Sequence, residues 1–302
     1  MASFGLKVIR GVFGAAEHVI PRLSGRAAFE LFCRTPNVKA LTDGERRAVE
    51  RASAFMAEAR HHRLKTKRDC VVVHEFRPEP GKDSRGTVLV IHGWRSRTEY
   101  MRSIIEGFCG AGYKVVSLDL PGHGHSLGRH LNMVNAVDAA RVAGEWFGPF
   151  AAVVGHSFGG AIAANAVAAS VKGMPPLAAQ KMVLIAAPSS LPAIFDDFSD
   201  MLNVGPRSRV AMADRVKHLS GRPLSEFTGD RQLAAAPVPT LIIHAPDDRE
   251  VHADHATRYA GAGEHVSLHW ANGLGHRRIL ADKDVVKRAV GFVTEEREAT
   301  LH

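Results

Sequence analysis

The chain has 302 residues, 45% hydrophobic and 23% charged, with 39 Lys and Arg against 31 Asp and Glu. That balance belongs to a globular protein large enough for one α/β domain and an accessory segment, and it excludes disordered, collagen-like or disulfide-stapled chains. Cys33, Cys70 and Cys109 are an odd, widely spaced set that fits neither a disulfide framework nor a zinc spacing, so a reducing, cytoplasmic compartment is expected. The 17 histidines include no HExxH or comparable spacing, and no metal site is expected.

The excess charge sits at the front. Residues 1–68 hold 14 Lys and Arg against six Asp and Glu, a net of +8, whereas residues 69–302 hold 25 of each sign. No nucleic-acid recognition module accompanies this basic segment, and its aromatic and Arg residues are not interleaved as a stacking platform requires, so nucleic acid is not an expected partner. Leu6, Ile9, Phe13, Ala16 and Ile20 fall at helical spacing with Lys7, Arg10 and Glu17 among them, which reads as an amphipathic helix ended by Pro21 rather than a secretory signal. Ala28, Leu31 and Phe32 form a second apolar patch, and Thr42 with Glu45 resembles a capping box opening a further helix through Val49, Ala52 and Met56. Residues 1–68 are therefore expected to be a basic helical extension. We read it as folded back over the rest of the chain, with peripheral contact to an anionic membrane through residues 1–35 as the competing reading. No run is long enough to span a bilayer.

After the extension, strand-like and helix-like segments alternate. The runs at 70–76 (CVVVHEF), 87–93 (TVLVIHG), 113–120 (YKVVSLDL), 150–156 (FAAVVGH), 181–187 (KMVLIAA), 240–245 (TLIIHA) and 265–270 (HVSLHW) are β-branched or apolar, as in strands of a parallel sheet. Helical patterns lie between them at 97–110, 132–146, 159–171, 253–260 and 285–293. The expected fold class is α/β: a mostly parallel sheet with helices on both faces, formed by residues 69–187 and 237–302, with residues 188–236 as a helical lid insertion. No internal repeat is visible.

In an open parallel sheet, reactive groups collect past the carboxyl ends of the strands. Ser157 follows the strand FAAVVGH and precedes a helix, and Gly155, His156, Ser157, Phe158 and Gly159 match G-x-S-x-G. Alone, such a serine could equally be a small residue in a tight turn. Other strand ends raise its standing. The strand TVLVI is followed by His92, Gly93 and Trp94, a loop that could aim a backbone N–H at Ser157, and the Phe158 N–H opens the next helix. Asp247 and Asp248 end a later strand, either able to orient an imidazole, and His276 follows the last one.

Together these residues resemble the α/β-hydrolase superfamily over roughly residues 70–296. The resemblance implies Ser157 as nucleophile, Asp248 as acid and His276 as base, with Trp94 and Phe158 as oxyanion donors. It also implies a carboxylic ester hydrolase working through an acyl-enzyme without a cofactor. The loop Asp119–Ser126 (DLPGHGHS) resembles the superfamily's loop that shapes the site, which makes His123 and His125 structural or pocket-lining. Some features depart from the pattern: Ala245 stands at the usual glycine of the acid loop, which keeps Asp247 as runner-up, and serine at 157 disfavours the chemistry of the haloalkane dehalogenases and epoxide hydrolases, which use a nucleophilic aspartate. Perhydrolysis, acyl transfer, C–C bond hydrolysis on the same triad, or a non-catalytic binding role are the alternatives. A lipophilic small-molecule ester is the expected substrate, since the lid is rich in apolar residues. His92, Gly93, His156, Leu191, Phe195 and Phe198 are the expected substrate-binding residues. Oligomeric state is not legible.

Overall fold

A computed structural model describes residues 4–37, 40–78 and 84–295. The elements follow in the order α1 (Phe4–Val19), α2 (Pro21–Cys33), α3 (Asp43–Arg51), α4 (Ser53–Ala57), β1 (Arg60–Lys65), β2 (Cys70–Phe76), β3 (Thr87–Ile91), α5 (Arg102–Gly110), β4 (Lys114–Asp119), α6 (Met133–Phe147), β5 (Phe150–His156), α7 (Phe158–Val167) and β6 (Ala179–Ile185). The chain continues through α8 (Leu191–Leu202), α9 (Pro206–Ser220), α10 (Gly229–Ala235), β7 (Thr240–His244), α11 (Asp254–Ala260), β8 (Val266–Trp270), α12 (Gly275–Arg278) and α13 (Lys283–Thr294).

The eight strands form one sheet in the order β1-β2-β4-β3-β5-β6-β7-β8. From β4 to β8 neighbouring strands are parallel, and β3, at the centre, is fully buried along its length. Such strands need apolar side chains on both faces, which explains why they read as unbroken Val, Ile and Leu runs. One face packs under α5, α13 and α4 through Phe108, Ile104, Val285 and Phe55. The other packs under α6 and α7 and is continued by helices of residues 188–236 and by Phe13 and Phe29 of α1 and α2.

Two expectations need correction. β2 runs antiparallel to β4, and the basic extension is not wholly helical, because residues 60–65 form the edge strand β1 antiparallel to β2. Thr66 closes that hairpin, its hydroxyl accepting the Asp69 N–H at 2.9 Å. The sequence RHHRLK hides a strand because only Leu64 is buried; charged side chains on an edge strand keep it from pairing with another chain. Thr42 and Glu45 make the reciprocal capping box of α3, though the helix expected through Met56 is broken at Ala52 into α3 and α4; residues 188–236 contain α8, α9 and α10.

Candidate active site

Ser157 stands between β5 and α7 with φ 52 and ψ −128, a left-handed backbone that a side-chain-bearing residue rarely adopts. The surrounding glycines make the turn possible by letting backbones touch. A Cβ at Gly155 would overlap the Gly159 carbonyl, and one at Gly159 would overlap the carbonyl of Ile91. Gly93 serves the same end, since a Cβ there would lie 2.8 Å from the Ser157 Cβ. The loop after β3 is thus pressed against the serine. Gly93 acts through this close approach and not as a wall of the substrate cavity.

Near the serine are N–H groups available to an oxyanion. Among the described residues the Trp94 N–H finds no acceptor. Phe158 is the first residue of α7, where an N–H has no intrahelical partner and the helix dipole favours negative charge.

The two aspartates after β7 separate by partner. Asp248 is 5% exposed; its Oδ2 lies 2.8 Å from Nδ1 of His276, and its Oδ1 accepts the N–H groups of Glu250 at 2.8 Å and Val251 at 2.9 Å. Asp247 is exposed and accepts the Gly273 N–H at 3.1 Å, pinning the loop that carries the histidine. Burial opposes the charge on Asp248, yet the His276 bond and the two backbone donors hold its pKa below the usual carboxylate range. A carboxylate so held accepts from Nδ1–H of His276, which puts the lone pair of the neutral ring on Nε2. That nitrogen lies 4.0 Å from Glu250 Oε2, and the Ser157 hydroxyl has no hydrogen-bond partner among the described residues. His276 does not line the Ser157 cavity; it lines a neighbouring pocket with Asp247, Glu250 and Arg277.

His156 and His92 are not where substrate could touch them. His156 is 4% exposed, and its Nε2–H donates to the His276 carbonyl at 2.9 Å, so it holds the backbone under the histidine. Burial, with the neighbouring His276 ring, pushes the His156 pKa down to about 3. His92 is fully buried; Nδ1–H donates to the Gly93 carbonyl at 2.8 Å and Nε2 accepts the Leu120 N–H at 3.1 Å. Both rings are wedges. Strand-end histidines look alike in sequence whichever side of the backbone they take, and only packing separates them.

His123 and His125 are structural as expected. His123 accepts the Arg95 N–H at 3.1 Å, with burial lowering its pKa to about 4, and His125 bonds Asp119. His74, Asp119 and His125 have ligand-type atoms within 4.8 Å of one another. Hydrogen bonds among themselves and from Thr98 already occupy these atoms, and the group is no part of the Ser157 cavity.

Ser157 opens into a cavity of about 470 Å³, mostly apolar in its lining. Leu191, Phe195 and Phe198 of α8 line it, with Trp94 and Phe158 beside the serine. Sequence reasoning missed the opposite wall, because Phe29, Phe32 and Arg34 come from the basic extension. The Phe32 ring packs 4.5 Å from that of Phe195 and 5.1 Å from that of Phe198. Their sequence signal was faint: an apolar helical face shows that something is buried, not what it meets. Glu250 and His255 also line the cavity, and Glu250 was legible only as a neighbour of Asp248.

The extension is anchored by Glu17. This carboxylate of α1 accepts the Arg207 N–H at 2.8 Å, the Ser208 N–H at 3.0 Å and the Ser208 hydroxyl at 2.6 Å, capping the N-terminus of α9 from another element. A Cβ at Gly205 would overlap the Glu17 side chain. Burial works against the Glu17 charge, and the three donors still hold its pKa low.

A family model described as "Alpha/beta hydrolase family" matches residues 88–289. Solved structures share the fold. Est1E from Butyrivibrio proteoclasticus, with ferulic acid bound, is 14% identical with a TM-score of 0.60, over 78% of this chain and 100% of that one. Naproxen esterase from Bacillus subtilis is 15% identical with a TM-score of 0.57, over 83% and 99%. A membrane phospholipase A described as a bacterial virulence factor is 17% identical with a TM-score of 0.59, over 96% of each chain, a share too large to omit the N-terminal helices. No curated protein matches the sequence.

Proposed function

The chain belongs to the alpha/beta hydrolase family, and from that premise we propose that it is a serine hydrolase that cleaves a carboxylic ester with a lipophilic acyl or alcohol group. The observation that carries this reading is the Asp248–His276 pair at 2.8 Å, whose histidine carbonyl bonds His156 at 2.9 Å, next in sequence to a serine held at positive φ at the N-terminus of α7 and lining an apolar cavity. His276 Nε2 takes the Ser157 proton as the oxygen attacks the ester carbonyl, and Asp248 stabilises the imidazolium. The Trp94 and Phe158 N–H groups receive the developing oxyanion. The alcohol leaves with the proton from His276. Water, deprotonated by the same imidazole, then attacks the acyl-serine and releases the acid.

Leu191, Phe195, Phe198 and Phe32 hold the lipophilic part of the substrate, for which a cavity of about 470 Å³ leaves ample room. The test is labelling by a fluorophosphonate probe, followed by turnover of a panel of p-nitrophenyl esters of increasing acyl length. Labelling of the native chain, its loss in Ser157→Ala, and a preference for medium or long chains are expected. A native chain that takes no label and turns over no ester overturns the reading.

A further inference from the structure

α1 carries two faces that do different work. Phe13 and Glu17 point inward, to the core and to the end of α9. Phe4, Val8, Val12 and Val19 share the opposite face, with Phe4 83%, Val12 62% and Val19 79% exposed. On α2, Leu23, Ala27 and Leu31 recur at intervals of four residues and are all exposed. Isolated apolar residues on a surface need no explanation, but continuous stripes on two adjacent helices do. Leu31 at the end of one stripe lines the Ser157 cavity. So does Met201, 50% exposed, whose carbonyl accepts from Arg10 of α1.

The charge on these two helices is predominantly positive, and the exposed Asp196 and Asp200 of the adjoining α8 pair with Arg209. Glu17 is the only carboxylate on α1 and is turned inward, leaving Lys7 on the outer side. On α2, Arg22 and Arg26 are exposed, with Arg34 just after the helix, against the single exposed carboxylate Glu30 of α2, which faces His130 at 3.6 Å. An apolar stripe flanked by cations, on a helix already tethered through its other face, has the chemistry of an interfacial helix. No helix among the described residues is long and apolar enough to cross a membrane. We propose that the outer faces of α1 and α2 dock the protein on an anionic phospholipid surface, so that a lipophilic ester passes from the bilayer past Leu31 and Met201 into the Ser157 cavity. The docking surface stands on its own; the delivery of substrate rests on the hydrolase reading above.

The test is co-sedimentation of the full chain with vesicles of equimolar phosphatidylcholine and phosphatidylglycerol, and with vesicles of phosphatidylcholine alone. The native chain partitions onto the anionic vesicles, less so at high salt. Val8→Glu with Val12→Glu lowers partitioning at least about tenfold, and each of Lys7→Ala, Arg22→Ala and Arg26→Ala lowers it about fivefold. These side chains are exposed, so turnover of a short water-soluble ester stays at the native rate in all of them, while turnover of a long-chain ester embedded in the vesicles falls with partitioning. Ser157→Ala partitions like the native chain, which separates docking from catalysis. A native chain that stays in the supernatant, or apolar-face variants that partition normally, overturns the proposal. So does a native dimer that Val8→Glu with Val12→Glu dissolves, because the stripe would then be covered by a second copy.

Discussion

The floor and the roof of the cavity are built by opposite physics. The floor, at the carboxyl ends of β3, β5 and β7 and the loop after β8, is polar, hydrogen-bonded and made of parts that have one position each: Ser157 at positive φ, Asp248 with three donors, His92 and His156 wedged beneath. The roof is two layers of helix, α1 and α2 against α8 and α9, joined by Phe29, Phe32, Phe195 and Phe198 and by a single buried carboxylate. A floor of that kind can hold a reacting atom to fractions of an ångström, and a roof of that kind can adapt to the shape of an acyl chain. Chemistry and substrate choice are therefore expected to fail separately.

The largest effect belongs to the floor. Ser157→Ala and Asp248→Asn each lower kcat on every ester by on the order of 10³- to 10⁴-fold, measured by steady-state turnover, with little change in KM. A loss confined to long-chain esters would erase the distinction between floor and roof. Next comes the roof. Phe195→Ala costs about 3 to 5 kcal/mol of stability by opening a cavity among three rings, read from denaturant unfolding, and it shifts acyl-length preference while short-ester kcat holds.

Acid acts on the floor again. Burial holds His156 at about 3 and His123 at about 4, whereas an exposed imidazole titrates near ~6.5. Below pH ~6.5 the unfolded chain binds more protons than the folded one, so stability falls as pH falls, by roughly 3 kcal/mol between pH 7 and pH 5. The depressed carboxylates of Asp248 and Asp119 continue the loss at lower pH, because the stability they contribute vanishes as pH drops through their folded pKa values. A melting temperature unchanged from pH 7 to pH 5 would show these imidazoles to be open to water.

Smaller effects sharpen the picture of the roof. Glu17→Ala removes the cap of α9 and costs about 1 to 2 kcal/mol, with KM for long-chain esters rising and the short-ester rate unchanged. Thr42→Ala removes one side of the α3 capping box, which lines no part of the Ser157 cavity, and costs about 1 kcal/mol in thermal melting with no effect on either ester.

Much of this was written locally. Runs of Val, Ile and Leu marked the buried strands of a parallel sheet because such strands need apolar side chains on both faces. The glycines around Ser157 marked the elbow because only residues without Cβ let backbones overlap there. The placing of Ser157, Asp248 and His276 after β5, β7 and β8 agreed with where a parallel sheet collects its loops, and the resemblance to the α/β-hydrolase superfamily suggested their roles. What only the tertiary structure decided are matters of partner and side. β1 is invisible in RHHRLK because an edge strand has one buried position and a charged rim. His92 and His156 belong beneath the site because their rings complete backbone hydrogen bonds across elements far apart in sequence. Asp248 rather than Asp247 faces His276 for the same reason, and Phe29 and Phe32 enter the cavity wall because α2 packs directly on α9, so closely that a Cβ at Gly25 would overlap the Ser208 carbonyl, a contact between distant parts of the chain that no local pattern encodes.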